Sequence, residues 1–282
     1  MTRALQSLAA GPVMRSRLEE TRAAFDSVAA DYDDDRGNNA AIQDMREETW
    51  RWLDRTFPTH SRLLDIGCGT GLDAARMARL GHRVTAVDWS PEMVRRTRDR
   101  AQAEGLSQGV EPLNLGGQEL ERLADAGCYD GAYSNLGALN CLPDLDGVAH
   151  ECARLLKPGA HLVFAVIGRI CPWEVGYYLL RRRWRRAMVR YARGVVPVGL
   201  NRHTVWTRYY TPREFYRPFE RQFELTTYRG VCIFVPPPYL LGLRRRHPRW
   251  QQRLWHLDRR VAGWPLLRAI GDHFLIVMRR RA

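Results

Sequence analysis

The chain has 282 residues, 45 % hydrophobic and 27 % charged, enough for one large domain or a domain with a cap. Its net charge of +13 is uneven: residues 168–282 carry 25 arginines against 6 acidic groups, and residues 1–167 carry 19 basic against 25 acidic groups. No apolar run could span a bilayer, residues 1–14 lack a long apolar stretch, and the six cysteines include no C-x-x-C pair; these features argue against a membrane span, a secretory leader, a disulfide framework or a zinc site, and fit a reducing cytoplasm.

In chain order, the first fifteen residues read as irregular. Phe25 to Asp33 follows as FDSVAADYD. From Ala40 to Phe57, Ile42, Met45, Thr49, Trp52 and Leu53 keep helical spacing, which predicts a helix docked on a sheet. Leu63 to Gly71, LLDIGCGTG, is an apolar strand ending on Asp65 and breaking into glycines at 67, 69 and 71. Such a turn lets a ligand lie against backbone N–H groups at the start of the next helix. It is not the dinucleotide fingerprint, because Leu72 stands at that pattern's third glycine. Arg83 to Trp89, RVTAVDW, ends on Asp88, where a carboxylate can hold both ribose hydroxyls of a nucleoside. Ser90-Pro91 reads as a helix start and Gly105 as its stop.

Strands and helices alternate over 62–66, 72–80, 83–88, 91–104, 110–115, 118–125, 129–134, 145–156 and 161–167. The alternation predicts a parallel sheet with helices on both faces. Its crevice lies at the carboxyl ends of the strands, where Asp65, Asp88 and Asn135 converge. After residue 168 the character changes. Residues 175–193 place Val175, Tyr178, Leu179, Trp184, Ala187, Met188 and Tyr191 on or near one helical face, with arginines crowding the rest. Val205 to Tyr210 alternates like a strand, and Thr211-Pro212-Arg213-Glu214 reads as a capping box. Residues 221–229 and 273–279 read as an antiparallel strand pair. Between them, 231–270 holds three prolines and a helix with Trp250, Leu254, Leu257 and Val261 in register, and with 169–220 it is expected to close over the crevice.

Four motifs occur in order: D-x-G-x-G-x-G at 65–71, the acidic strand end at Asp88, Asp130-Gly131 leading to Asn135, and Leu156-Lys157-Pro158-Gly159. Together they resemble the class I S-adenosylmethionine-dependent methyltransferases over about residues 20–168. The resemblance implies an α/β, Rossmann-like, seven-stranded, mostly parallel sheet with helices on both faces and helical lid insertions. It divides the chain into an N-terminal helical cap (1–58), a cofactor core (59–168), a lid (169–220) and a final strand pair with a basic insertion (221–282).

S-adenosyl-L-methionine is the implied cofactor. Its implied contacts are Asp65, Gly67, Gly69, Gly71, Asp88, Met93 and Asn135, with Gln118 and Glu119 near the adenine amino group. Tyr32 stands where the family covers the methionine end, or packs a helix end. Trp89 stacks on adenine or belongs to the core. On the acceptor side the candidates are Trp173, Glu174, Tyr178 and Tyr209, with His203 and Tyr210 as general bases. No H-E-x-x-H or comparable ligand spacing occurs, so no metal is expected.

A methyl group on a sulfonium is already activated, so alignment and exclusion of water are the main demands. The basic half fits an anionic membrane surface or lipid-like substrate, single-stranded RNA, or plain solvent. Ser134-Asn135-Leu136-Gly137 stands where amine methyltransferases carry an Asn/Asp-Pro-Pro-aromatic motif. The expectation is therefore a cytoplasmic enzyme, membrane-peripheral at most, acting on a small hydrophobic or amphiphilic acceptor, with O-methylation ahead of N or C. RNA methylation and non-catalytic cofactor binding are the alternatives.

Overall fold

The computed structural model describes residues 11–34, 37–124, 126–240 and 248–282. Of the first fifteen residues, expected to be irregular, the first ten lie outside these, and 12–15 are instead helical. Helix α1 (Pro12–Val28) opens on a proline in its first turn, where the missing N–H leaves no bond unmade. Helix α2 (Ala40–Thr56) starts at Asn39, whose side chain accepts the N–H of Ala41 at 3.0 Å. The alternating core follows as β1 (Arg62–Ile66), α3 (Leu72–Arg79), β2 (Arg83–Asp88), α4 (Pro91–Ala103), β3 (Val110–Asn114), β4 (Tyr129–Ser134), α5 (Leu145–Leu155) and β5 (Leu156–Ile167). Ser90 caps α4 by accepting the Met93 N–H at 3.1 Å, as its Ser-Pro start predicts.

Two core elements differ from expectation. The helix expected over 118–125 is a short 3₁₀ segment, Gly117–Arg122. There the Glu119 carboxylate accepts the Gly116 N–H at 3.0 Å and Glu119 itself leaves helical geometry. Strand β5 begins at Leu156, not His161, because Leu156 already pairs with Tyr129 before the turn at Gly159 shifts the register.

The second half continues as α6 (Pro172–Leu180), α7 (Trp184–Ala187), β6 (Val195–Leu200), β7 (His203–Arg208), α8 (Pro212–Tyr216), β8 (Phe223–Val231), α9 (Pro248–Val261) and β9 (His273–Arg280). The continuous helical face expected over 175–193 is broken. Arg182 takes a left-handed φ of 56°, and a 3₁₀ turn at Val189–Tyr191 buries Arg190. Thr211 and Glu214 form the expected capping box at α8. In α9, Leu254 packs on the core and Leu257 is exposed, and the Trp250 side chain lies outside the described residues.

The large sheet runs β3-β2-β1-β4-β5-β9-β8, parallel except where β9 joins β5 and β8. Strands β6 and β7 form a separate antiparallel pair. Alternating side chains feed two cores. Leu64 belongs with Val148, Leu155 and Phe215 to one, and Leu63 belongs with Met45, Leu53 and Met77 to the other.

Candidate functional site

The glycine turn after β1 sets the geometry of the site. Gly67 has φ 78°, and a Cβ there would lie 2.4 Å from the Ala138 side chain. Only glycine allows this approach. The Gly69 N–H donates to Asp88 Oδ2 at 2.9 Å, and the Ser90 N–H donates to Oδ1 at 2.9 Å. Burial raises the Asp88 carboxyl to about 6, against the lowering effect of those two N–H bonds.

A cavity of about 330 Å³ opens at the carboxyl ends of β1, β2 and β4. Of the sequence-predicted cofactor contacts, Tyr32, Gly67, Gly69, Asp88, Trp89, Met93, Gln118 and Asn135 line it. Gly71, Asp65 and Glu119 do not. Gly71 starts α3 with φ 79°, and Glu119 is taken up by Gly116 and Arg122. Asp65 is buried, and burial together with the Asp73 charge lifts its carboxyl well above the usual range. Asp130 accepts the Arg62 N–H at 2.7 Å and pairs with Lys157, so it tethers strands.

A charged pair on the wall, Asp73 and Arg46, is among the polar lining residues that escaped sequence reasoning. Asp73, in the first turn of α3, accepts from Arg46 Nη1 and from Trp50 Nε1, each at 2.6 Å. Asn135 Nδ2 reaches the same carboxylate at 3.2 Å. Arg46 and Asp73 thus set a cation beside an anion on one wall, complementary to an amino-acid zwitterion. They lie 27 residues apart on two helices, and no linear motif joins them. The available signal was an acidic side chain in the first turn of the helix that follows the glycine turn.

The roof comes from outside the alternating core. Ser90 Oγ donates to Asp26 at 2.5 Å, and Thr70 Oγ1 donates to Asp33 at 2.8 Å, pinning the end of α1 and the following turn to the glycine loop. This holds Tyr32 on the wall, edge-on to Phe25 at 6.5 Å. Burial raises the Tyr32 phenol, so it stays a neutral hydroxyl. The β6–β7 hairpin lies along α1: the Trp206 N–H donates to Thr21 Oγ1 at 3.1 Å, and the indole donates to Glu20 at 2.8 Å.

The structure places the acceptor-side candidates elsewhere. Trp173, Glu174, Tyr178, His203, Tyr209 and Tyr210 are absent from the cavity wall. His203 is exposed at the start of β7. Tyr210 is buried against Phe215 at 5.6 Å. Tyr178 stacks edge-on with Tyr177 at 5.2 Å, and Trp173 is half-buried on α6. Glu174 binds Arg190 at 2.8 Å, and Arg190 also reaches Asp272 at 2.6 Å and lies under the Tyr209 ring.

Cys171, Glu174 and Asp272 offer ligand atoms within 4.8 Å of one another. The Arg190 guanidinium already supplies the positive charge that cluster requires. The described residues of the 231–270 insertion, expected over the crevice, instead meet α2 through Arg259. Arg259 bonds Glu48 at 3.2 Å, and Asp258 accepts the N–H groups of Ile233 and Phe234 at 2.9 and 2.8 Å.

The wall fits a nucleoside bearing an amino-acid tail. Both amide atoms of Gln118 are buried on it without a hydrogen-bond partner among the described residues. That orphaned amide suits an adenine edge, and the same cavity wall carries Asp88 and the Arg46–Asp73 pair. Residues 64–164 match the methyltransferase domain family. This core is a class I, S-adenosylmethionine-dependent methyltransferase domain.

The domain is 39 % identical over 117 residues to a ubiquinone biosynthesis O-methyltransferase of Xanthomonas axonopodis pv. citri, covering 41 % of this chain and 46 % of that protein. A protein of the same name from Alkalilimnicola ehrlichii is 31 % identical over 151 residues, 52 % of this chain and 59 % of its own. The chain thus spans about half the length of the curated relatives it matches. The domain's fold also matches an S-adenosylmethionine dependent methyltransferase from Mesorhizobium loti, with a TM-score of 0.53 at 19 % identity, covering 82 % of this chain and 97 % of that one.

Proposed function

We propose that the chain transfers a methyl group from S-adenosylmethionine to oxygen on a small hydrophobic or amphiphilic acceptor. The observation that carries this reading is the second half of the cavity. Beyond the glycine turn, its wall includes Leu18 and Phe25 from α1, Leu139 and Leu142 after β4, and Val198 and Val205 from the hairpin, with Thr21, Arg22 and Thr207 as polar neighbours on the same elements. Six apolar side chains from three separate elements favour an acceptor that gives up hydrated apolar surface on entry. The relatives' O-methyltransferase names support oxygen as the reacting atom.

When bound, the cofactor supplies a methyl carbon activated by its sulfonium. The chain's own residues bind and align. Asp88 and the Gly69 backbone hold the ribose end, Gln118 meets the adenine edge, and Arg46 with Asp73 takes the amino-acid end. Tyr32 and Phe25 close the roof and exclude water. Burial lifts the Cys141 thiol to about 12 and raises the Tyr32 phenol, so both stand neutral at pH 7. Alignment then contributes more to the rate than proton removal by these groups.

The test incubates methyl-labelled S-adenosylmethionine with the protein and an extract of its own cells, then separates lipid-soluble, aqueous and macromolecular fractions. Label in a lipid-soluble small molecule is the expected result. Label in RNA or protein, or in no fraction, overturns the reading.

A further inference from the structure

We propose that the surface formed by residues 180–193 docks on an anionic lipid bilayer beside the acceptor half of the cavity. Leu180, Trp184 and Met188 are 88, 65 and 53 % exposed, and Tyr191 is also exposed. Exposed arginines at 181, 182, 183, 185 and 186 lie between them. From Val175 to Arg213 the sequence contains ten arginines and no aspartate or glutamate. The carboxylate just before that stretch, Glu174, is buried in its pair with Arg190. The patch is therefore both strongly cationic and apolar, a combination that water solvates poorly on its apolar side.

The two characters fit one partner. Aliphatic and indole side chains enter the boundary between headgroups and acyl chains, while guanidinium groups stay at the level of the phosphates. Two arginines are held ready for this. Arg181 stacks over Tyr177 at 4.3 Å and Arg186 over Tyr178 at 6.0 Å. Single-stranded RNA instead calls for planar platforms on which bases stack. Here Leu180 and Met188, two of the three most exposed apolar groups of the segment, are not planar. Among the described residues no helix is long and apolar enough to cross a membrane, so the contact is peripheral.

The segment is not a loose tail. Arg190 fastens it from within, donating to the backbone oxygens of Gly168 and Asp272 at 2.8 and 2.9 Å besides its two ion pairs. The chain then enters β6 four residues after Tyr191, and Val198, Gly199 and Leu200 line the cavity. A bilayer held by 180–193 thus lies one short strand from the apolar acceptor wall. The use of such a contact, collecting an amphiphilic acceptor from the lipid phase, rests on the proposed function. The contact itself does not.

The experiment is co-sedimentation of the full chain with vesicles of phosphatidylcholine alone or containing about a third phosphatidylglycerol. Expected is binding to the anionic vesicles only, weakened by salt. Each Arg→Gln change at 182, 183 or 185 should weaken partition about fivefold at low salt. The double variant L180E/W184E should weaken it at least about tenfold, while calorimetry shows its cofactor affinity unchanged and so reports an intact core. Arg95→Gln and Arg98→Gln on α4 serve as charge controls and should leave vesicle binding within about twofold.

The proposal is overturned if the chain ignores anionic vesicles, if L180E/W184E binds them like the parent, or if the same variants lose RNA binding or self-association instead. Vesicle binding by a chain that labels no lipid-soluble acceptor would sink the proposed function and leave the docking surface standing.

Discussion

The segment from β1 to β5 and the segment after it are built on different principles. In the first, positions are dictated locally: a glycine turn, an acidic strand end and a Ser-Pro helix start each impose one conformation, and all point at the same crevice. In the second, positions depend on partners far away in the chain. Arg190 reaches Asp272, Arg259 reaches Glu48, and Trp206 reaches Glu20. The first segment therefore presents the glycine-turn wall of the cavity, and the second adds Val198 and Val205 to it through long-range packing. Chemistry shared by many enzymes lies in local motifs, and selectivity lies in long-range packing.

The contrast can be broken at its strongest point first. Arg190→Met leaves the Glu174 and Asp272 carboxylates buried without their cation and should cost about 3–5 kcal/mol of stability in denaturant titration. Cofactor binding at the glycine turn should persist in whatever remains folded. Burial alone would raise Asp272, but Arg190 and His273 outweigh it and hold that carboxyl well below the usual carboxylate range. A depressed folded value means its stabilisation is present at neutral pH and fades as pH falls below the ordinary carboxylate range. In Arg190→Met the acid limb of the stability curve should flatten.

On the proposed function, Asp88→Ala removes the carboxylate assigned to the ribose and should weaken cofactor affinity about 100-fold by calorimetry. A milder version uses pH alone. With Asp88 raised to about 6, its carboxylate gains a proton as pH drops through that value. Affinity should fall about tenfold between pH 7 and pH 5 in the parent and stay flat in Asp88→Asn. On the acceptor side, Val198→Trp fills the apolar half of the cavity and should lower kcat/KM about tenfold, leaving cofactor affinity alone. Smallest of all, His203→Ala at the exposed start of β7 should change the rate by less than about twofold, well under the contribution of a general base.

Between residues 62 and 167 the sequence reveals nearly every strand and helix, because apolar runs of strand length end on residues that cannot continue them. The exceptions have local causes. Glu119 was available to extend a helix but instead caps Gly116. Strand β6 was hidden by Gly194, Pro197 and Gly199; Pro197 is tolerated because β6 pairs on one side only, with β7. The 175–193 face has sound helical periodicity and is broken anyway, since burying Arg190 beside Asp272 requires the chain to turn.

The site divides in the same way. Most residues placed on the cavity wall from sequence belong to the glycine turn, β2, β4 and their flanks; Tyr32 after α1 and Gln118 after β3 are the others. Those missed, Arg46, Asp73, Leu18 and the hairpin positions, meet only through tertiary packing. The acceptor candidates were chosen for side-chain type, and the structure gives Glu174 and Tyr209 to Arg190 and Tyr210 to the core.

Gly168 and Tyr210 are bridged side by side at the end of β5, and the Arg169 N–H donates to the Tyr210 oxygen at 2.9 Å. The residues between them leave and rejoin the sheet at almost the same point. Closing so tight a gap needs only a short connection, and loop-closure entropy changes slowly with length. The exposed stretches of the excursion can change length without re-registering a strand of the sheet, so long as Arg190 keeps its place beside Asp272. It behaves as a cassette fastened at two inner points, Arg190 on Asp272 and Trp206 on Thr21, and its length is free to vary only between those fasteners.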